Sequence, residues 1–126
     1  MRLLLDSHVA LSWLADDGSL GSTCGDQLKS AEKVYVSAVT PWELGIKRAL
    51  GKLAYPDGLV GELLAAGFVE LAISVAHAGR APGLPLHHRD PFDRMLVAQA
   101  QLESLVLVTA DQSLNPYDVE ILDARR

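Results

Sequence analysis

Apolar residues recur along this chain in two rhythms: short unbroken runs, and longer stretches spaced at three and four residues. The runs "RLLL" (2–5), "VYVS" (34–37) and "LVLVTA" (105–110) predict strands, the first and last of them buried on both faces. "FVELAI" (68–73) predicts another, and "YDVEILDA" (117–124) alternates enough for an edge strand. Between them, "HVALSWLA" (8–15), "GSTCGDQLKSAEK" (21–33), "TPWELGIKRALGKL" (40–53), "PDGLVGELLAAG" (56–67) and "PFDRMLVAQAQLE" (91–103) predict helices. "SVAHAGRA" (74–81) predicts a short one, broken by "PGLP" at 82–85. Helix punctuation supports these elements. Thr40, Pro41 and Glu43 read as cap, first position and capping box, Gly67 as a stop, and Asp90 with Pro91 as a cap followed by a first-turn proline.

Strands alternating with helices imply an α/β fold with a mainly parallel sheet covered by helices on both faces. In such a sheet ligands bind beyond the carboxyl ends of the strands, at the point where strand order reverses. A chain of 126 residues, 49% hydrophobic and 21% charged, is expected to form a single globular domain over 1–126. The apolar runs are too short to span a membrane and the start does not resemble a signal peptide, so a cytoplasmic location is expected. Cys24 is the single cysteine, which excludes an internal disulfide and a thiolate metal site. The net charge of −5 argues against coating nucleic acid by charge alone, although an acidic pocket produces the same number.

Carboxylates mark the expected ligand edge. Asp6 ends the first strand and Asp111 follows the strand at 105–110, while Glu43, Asp90 and Asp93 stand near helix starts. One helical residue advances about 100°, so Asp93 shares the apolar side with Leu96, Val97 and Ala100, whereas Arg94 falls with Ala98 and Gln101. Asp90 is therefore assigned mainly to capping and Asp93 mainly to function. Four or five acids on one site stay ionised at neutral pH only beside a cation, and oxygen donors favour Mg2+ or Mn2+. Phosphodiester cleavage and phosphoryl transfer are the two chemistries that such a centre serves.

"LLLDSHVALSWL", "VSAVTPWELGIKRALGKL", "HHRDPFDRMLVAQA" and "LVTAD", in this order and spacing, resemble the motif regions of PIN-domain ribonucleases, and among them the VapC-like toxins of type II toxin–antitoxin pairs. The resemblance runs from Leu3 to the final "DVEILDA" and implies a three-layer α/β/α sandwich. It makes Asp6, Glu43 and Asp93 the first three acids, all metal ligands, and Asp111 the fourth, with Asn115 able to replace or support it. Ser7 and Thr109 match hydroxyl positions that bond water or a carboxylate, and Asp90 stands as a further supporting acid. The resemblance implies Mg2+- or Mn2+-dependent RNA cleavage, a homodimer, and silencing by a VapB-like antitoxin.

Other readings of the same residues remain. His87 and His88 can serve as an acid–base pair for metal-free RNA cleavage, though their Pro/Gly-bounded loop favours a surface role; His8 and His77 have less support. Trp13 and Trp42 read as core rather than as stacking platforms for bases. Lys47, Arg48 and Lys52 form a basic edge, and Arg89 and Arg94 flank the acids, where they pair with them or with substrate. A phosphatase with an aspartate nucleophile needs a second acid two residues after the first, where this chain has His8. A non-catalytic PIN-like binding module is the remaining alternative, and it would be favoured by missing acids.

Overall fold

Alternation along the strands sorts the core into two halves. In the computed structural model, which describes residues 1–126, Leu3 and Leu5 of β1 (Arg2–Leu5) face one side of the sheet and Leu4 the other. The chain continues through α1 (Ser7–Ala15), α2 (Ser22–Ser30), β2 (Lys33–Ser37), α3 (Val39–Ala49), α4 (Leu59–Ala65) and β3 (Val69–Leu71). It then forms α5 (Val75–Arg80), α6 (Pro91–Glu103), β4 (Val106–Thr109) and β5 (Ile121–Asp123), with 3-10 turns at Ala81–Gly83 and Gln112–Leu114. The five strands are ordered β3-β2-β1-β4-β5 and every pairing is parallel, so the sheet expected to be mainly parallel is wholly so.

On one face, Val9, Ala10, Cys24, Leu28, Leu44, Leu59 and Leu63 from α1 to α4 pack on Leu3, Leu5, Val34, Val36, Val106 and Val108. On the other, Leu96, Val97, Ala98 and Ala100 of α6 pack on Leu4 and Leu107. Helices thus cover both faces of the sheet in the expected α/β/α sandwich. No helix is long and apolar enough to cross a membrane. Sequence order reverses between β1 and β4, which lie side by side, and the residues leaving their carboxyl ends are Asp6 and Ala110–Asp111.

Four elements differ from the sequence reading. The helix expected over 21–33 ends at Ser30 because Lys33 opens β2, paired with Arg2. Residues 50–58 leave the helical path, with Gly51 and Gly58 at φ of 72° and 86°, so the third helix is shorter and the fourth starts at Leu59. The strand expected from Tyr117 forms only over Ile121–Asp123, and Tyr117 instead buries its ring in the core. The helix expected from Thr40 starts at Val39; Ser37 Oγ accepts from the Val39 amide, and Thr40 is buried against Ser7, their hydroxyls 3.2 Å apart. Thr40 is therefore no cap and the capping box with Glu43 does not form.

Candidate active site

Asp6 is both the cap of α1 and a member of the site. Its Oδ1 accepts from the His8 amide at 3.1 Å, and its Oδ2 accepts from the Thr109 hydroxyl at 2.7 Å, across the β1–β4 junction. Burial opposes its ionisation, but bonds from His8 and Thr109 outweigh burial and hold the carboxyl below the usual range. Thr109 Oγ1 also accepts from the Asp111 amide at 3.0 Å, so one hydroxyl ties the residues leaving both central strands.

Asp90 caps α6 as expected, accepting from the Phe92 and Asp93 amides at 2.8 and 3.4 Å with Pro91 at the first helical position. Asp93, one turn in, is 8% exposed. Burial first, and then the charges of Asp6, Asp90 and Glu43, push its carboxyl up to about 7 against a favourable bond to His88. Glu43 arrives from α3 almost wholly buried; Oε2 accepts from Lys47 Nζ at 2.8 Å, while Oε1 has no hydrogen-bond partner. A buried carboxylate oxygen left unpartnered is rare in a folded protein and points to a ligand.

The structure brings Asp6, Asp90, Asp93 and Asp111 to one cleft of about 510 Å³, with His8, His88 and Arg125 on its walls. Glu43 does not line the cleft but is close enough for its charge to act on Asp93. One atom each of His88, Asp90 and Asp93 falls within 4.8 Å of the others. This donor set is rich in oxygen and contains no thiolate, it concentrates negative charge, and it leaves Glu43 Oε1 open; it fits a hard divalent cation.

Other expected residues are placed elsewhere. Ser7 is buried and meets Thr40 rather than a carboxylate. Asn115 is exposed, makes no side-chain hydrogen bond, and lies off the cleft wall; Ser113 takes the place foreseen for it, bonding Asp111 Oδ1 through Oγ at 2.6 Å and through its amide at 2.9 Å. Lys47 is held on Glu43, and Arg48 pairs with Asp57 and lies 4.8 Å over the Tyr55 ring, so both are engaged within the protein.

Arg94, expected beside substrate, is buried and donates to the carbonyls of Ala81, Pro82, Leu84, Pro85 and His88 and to Tyr117 Oη. It holds the 81–88 loop rather than facing solvent. Arg89 is the exposed one of that pair. Trp42, expected in the core, is 60% exposed and meets Phe92 edge to face at 5.0 Å, while Trp13 packs on Phe68. Sequence reasoning missed Ser113 and Arg125. Ser113 stands two residues after Asp111, the spacing of a local side-chain-to-backbone turn, which is the signal that can find it.

A wholly parallel sheet with buried acids at its switch point defines a carboxylate-centred α/β protein, and residues 3–120 match the family model of the PIN domain. The chain belongs to the PIN-domain family. It is 29% identical over 124 residues to Ribonuclease VapC22 of Mycobacterium tuberculosis, covering 91% of each chain. Its fold is shared with the VapBC2 structure from Rickettsia felis bound to a promoter DNA fragment (TM-score 0.73, 11% identity, 98% of each chain). VapBC-1 from nontypeable Haemophilus influenzae is also similar (TM-score 0.67, 19% identity, 100% of each chain).

Proposed function

We propose that this chain is a metal-dependent endoribonuclease of the VapC type, the toxin of a toxin–antitoxin pair, with Asp6, Glu43, Asp93 and Asp111 as its working acids. The observation that carries this reading is the buried, unpartnered Oε1 of Glu43 beside an Asp93 whose carboxyl is pushed up to about 7 by burial first and then by the charges of Asp6, Asp90 and Glu43. Asp6, Glu43 and Asp93 would hold Mg2+ or Mn2+, with Asp111 and Asp90 in support. When bound, the cation supplies an activated water and neutralises the developing charge on a phosphodiester. The chain's own residues do the rest. Thr109 and the His8 amide keep Asp6 ionised and fixed in orientation, Lys47 balances one oxygen of Glu43, and Asp90 holds the first turn of α6 so that Asp93 faces the cleft. No side-chain nucleophile is needed, and in-line attack by water leaves 5′-phosphate and 3′-hydroxyl ends.

The partners proposed are RNA, a VapB-like antitoxin and a second copy of this chain, all in the cytoplasm. A homodimer is supported by Trp42, Ile46 and Leu50, which stand exposed at four-residue spacing along α3 and its C-cap. Cleavage of RNA with Mg2+ or Mn2+ tests the reading. Activity should vanish with chelator and in Asp6→Asn and Asp93→Asn; chelator-resistant cleavage, or none by the wild type, would overturn it.

A further inference from the structure

The segment before α6 is held by its backbone to a degree unusual for a loop. The Arg94 guanidinium binds five of its carbonyls, the His88 carbonyl at 3.2 Å among them. Tyr117 Oη adds a bond at 2.7 Å to the Pro85 carbonyl and accepts from the His88 amide at 3.1 Å. Both backbone polar groups of His88 are thereby engaged, and its ring is delivered to a defined place on the cleft wall. There, Nε2 lies 2.8 Å from Asp93 Oδ2 and 3.7 Å from Asp111 Oδ2. Nδ1 lies 3.1 Å from Ser113 Oγ, which in turn is 2.6 Å from Asp111 Oδ1.

One imidazole therefore touches an acid from the first turn of α6 and reaches, through Ser113, the acid that follows β4. The two carboxylates come from different elements and repel each other; Asp111 is held by Ser113, whereas the bond to His88 is the one that restrains the Asp93 carboxylate. A ring bonded to one oxygen of Asp93 and to the Ser113 hydroxyl that holds Asp111 removes the freedom of Asp93 and ties the two acids into one unit. Groups that hydrogen-bond metal-binding carboxylates act in this way, and their removal typically lowers metal affinity or activity by about 10- to 100-fold.

We propose that His88 is a positioning residue that joins Asp93 to Asp111, through Ser113, as one hydrogen-bonded unit of the site. The proposal rests on the reading of these acids as a metal-dependent ribonuclease centre, and it gives His88 a role other than the acid–base one.

The test compares His88→Ala, His88→Gln and Ser113→Ala with wild type and Asp93→Asn. RNA cleavage is measured with Mn2+, Mn2+ affinity by calorimetry, and the ring nitrogen shifts of His88 by NMR in metal-free protein. His88→Ala should lower kcat by about 10- to 100-fold with KM for RNA nearly unchanged, and should weaken Mn2+ binding by roughly 10-fold. His88→Gln, whose amide reaches the Nε2 position, should recover most of kcat, and Ser113→Ala should fall between. The His88 ring shifts should move in Asp93→Asn and in Ser113→Ala. Wild-type cleavage and Mn2+ affinity in His88→Ala would overturn the proposal, as would His88→Gln as inactive as His88→Ala, or ring shifts unmoved by either neighbouring substitution. If wild type and Asp93→Asn alike fail to cleave RNA, the ribonuclease reading falls, and the ring shifts and Mn2+ affinities still decide the role of His88.

Discussion

Two four-residue stretches of this chain are written almost alike: "TPWE" at 40–43 and "DPFD" at 90–93, each a short polar residue, a proline, an aromatic ring and an acid. Both open helices, and the two rings meet edge to face where Trp42 touches Phe92. Local logic gives them the same role, yet only the second behaves so. Asp90 caps α6, whereas Thr40 turns inward to Ser7, and α3 starts after Ala38 with no side-chain cap, Ser37 Oγ meeting only the Val39 amide. The residues after the acids differ too: Leu44 is buried in the core, while Arg94 at the matching place is buried by the loop folded over it. What survives in both copies is the acid, buried, with the charge of Glu43 acting on Asp93. A helix can therefore start with a side-chain cap or without one, but the burial of the fourth residue is set by packing.

The largest expected effect tests the equivalence of the two acids. Glu43→Gln and Asp93→Asn should each slow RNA cleavage by about 100-fold or more, several kcal/mol in barrier, with unchanged circular dichroism. A loss in only one of them would break the parallel. The next effect separates them. Folding favours protonated Asp93, since its carboxyl is raised from 3.8 to about 7, so that contribution is full below pH 4 and is lost as pH rises through 7. The limit of that contribution is about 4 kcal/mol. Asp6 has the opposite sign: lowered below 3.8, it adds stability at neutral pH that is lost only as pH falls below that value. Urea unfolding in chelator should show wild type weaker at pH 8 than at pH 5. Asp93→Asn should remove most of that difference, and Glu43→Gln should reduce it only partly.

A smaller effect tests the residues beside the acids. Arg94→Leu gives α6 the residue α3 carries, and should destabilise by about 2–3 kcal/mol because several loop carbonyls lose their donor at once. Arg89→Ala should leave the urea midpoint where it is. Smallest are the helix starts: Asp90→Ala should lower stability by about 1 kcal/mol, and Ser37→Ala, which removes a single bond to the Val39 amide, should cost less; an equal loss would make the two helix starts equivalent.

Much of this was legible in the chain. Asp6 and Asp111 stand at strand ends in the sequence and do so in the fold, and the division between Asp90 as cap and Asp93 as inward acid follows from the helical wheel. The same wheel places Arg94 with Ala98 and Gln101, away from the face of Asp93, and its reading as a residue that pairs with the acids or with substrate rests on that placement. It failed there because the 81–88 loop covers that face, and no periodicity within α6 encodes a loop that arrives from outside it. Asn115 stood in for Ser113 because a hydroxyl two residues past an acid looks like an ordinary turn residue until a histidine from another segment meets it.

Periodicity and punctuation act between neighbours, over one turn or one pleat. For that reason the sequence by itself determined the order of strands and helices, the two-sided burial of β1 and β4, the cap at Asp90 and the inward face of Asp93. The capture of Thr40 by Ser7, the open oxygen of Glu43, the burial of Arg94 under its own loop and the meeting of His88 with Asp93 and Ser113 depend on side chains distant along the chain. Such contacts form only after loops have closed and burial has removed water as a competing partner, and tertiary structure alone decides them.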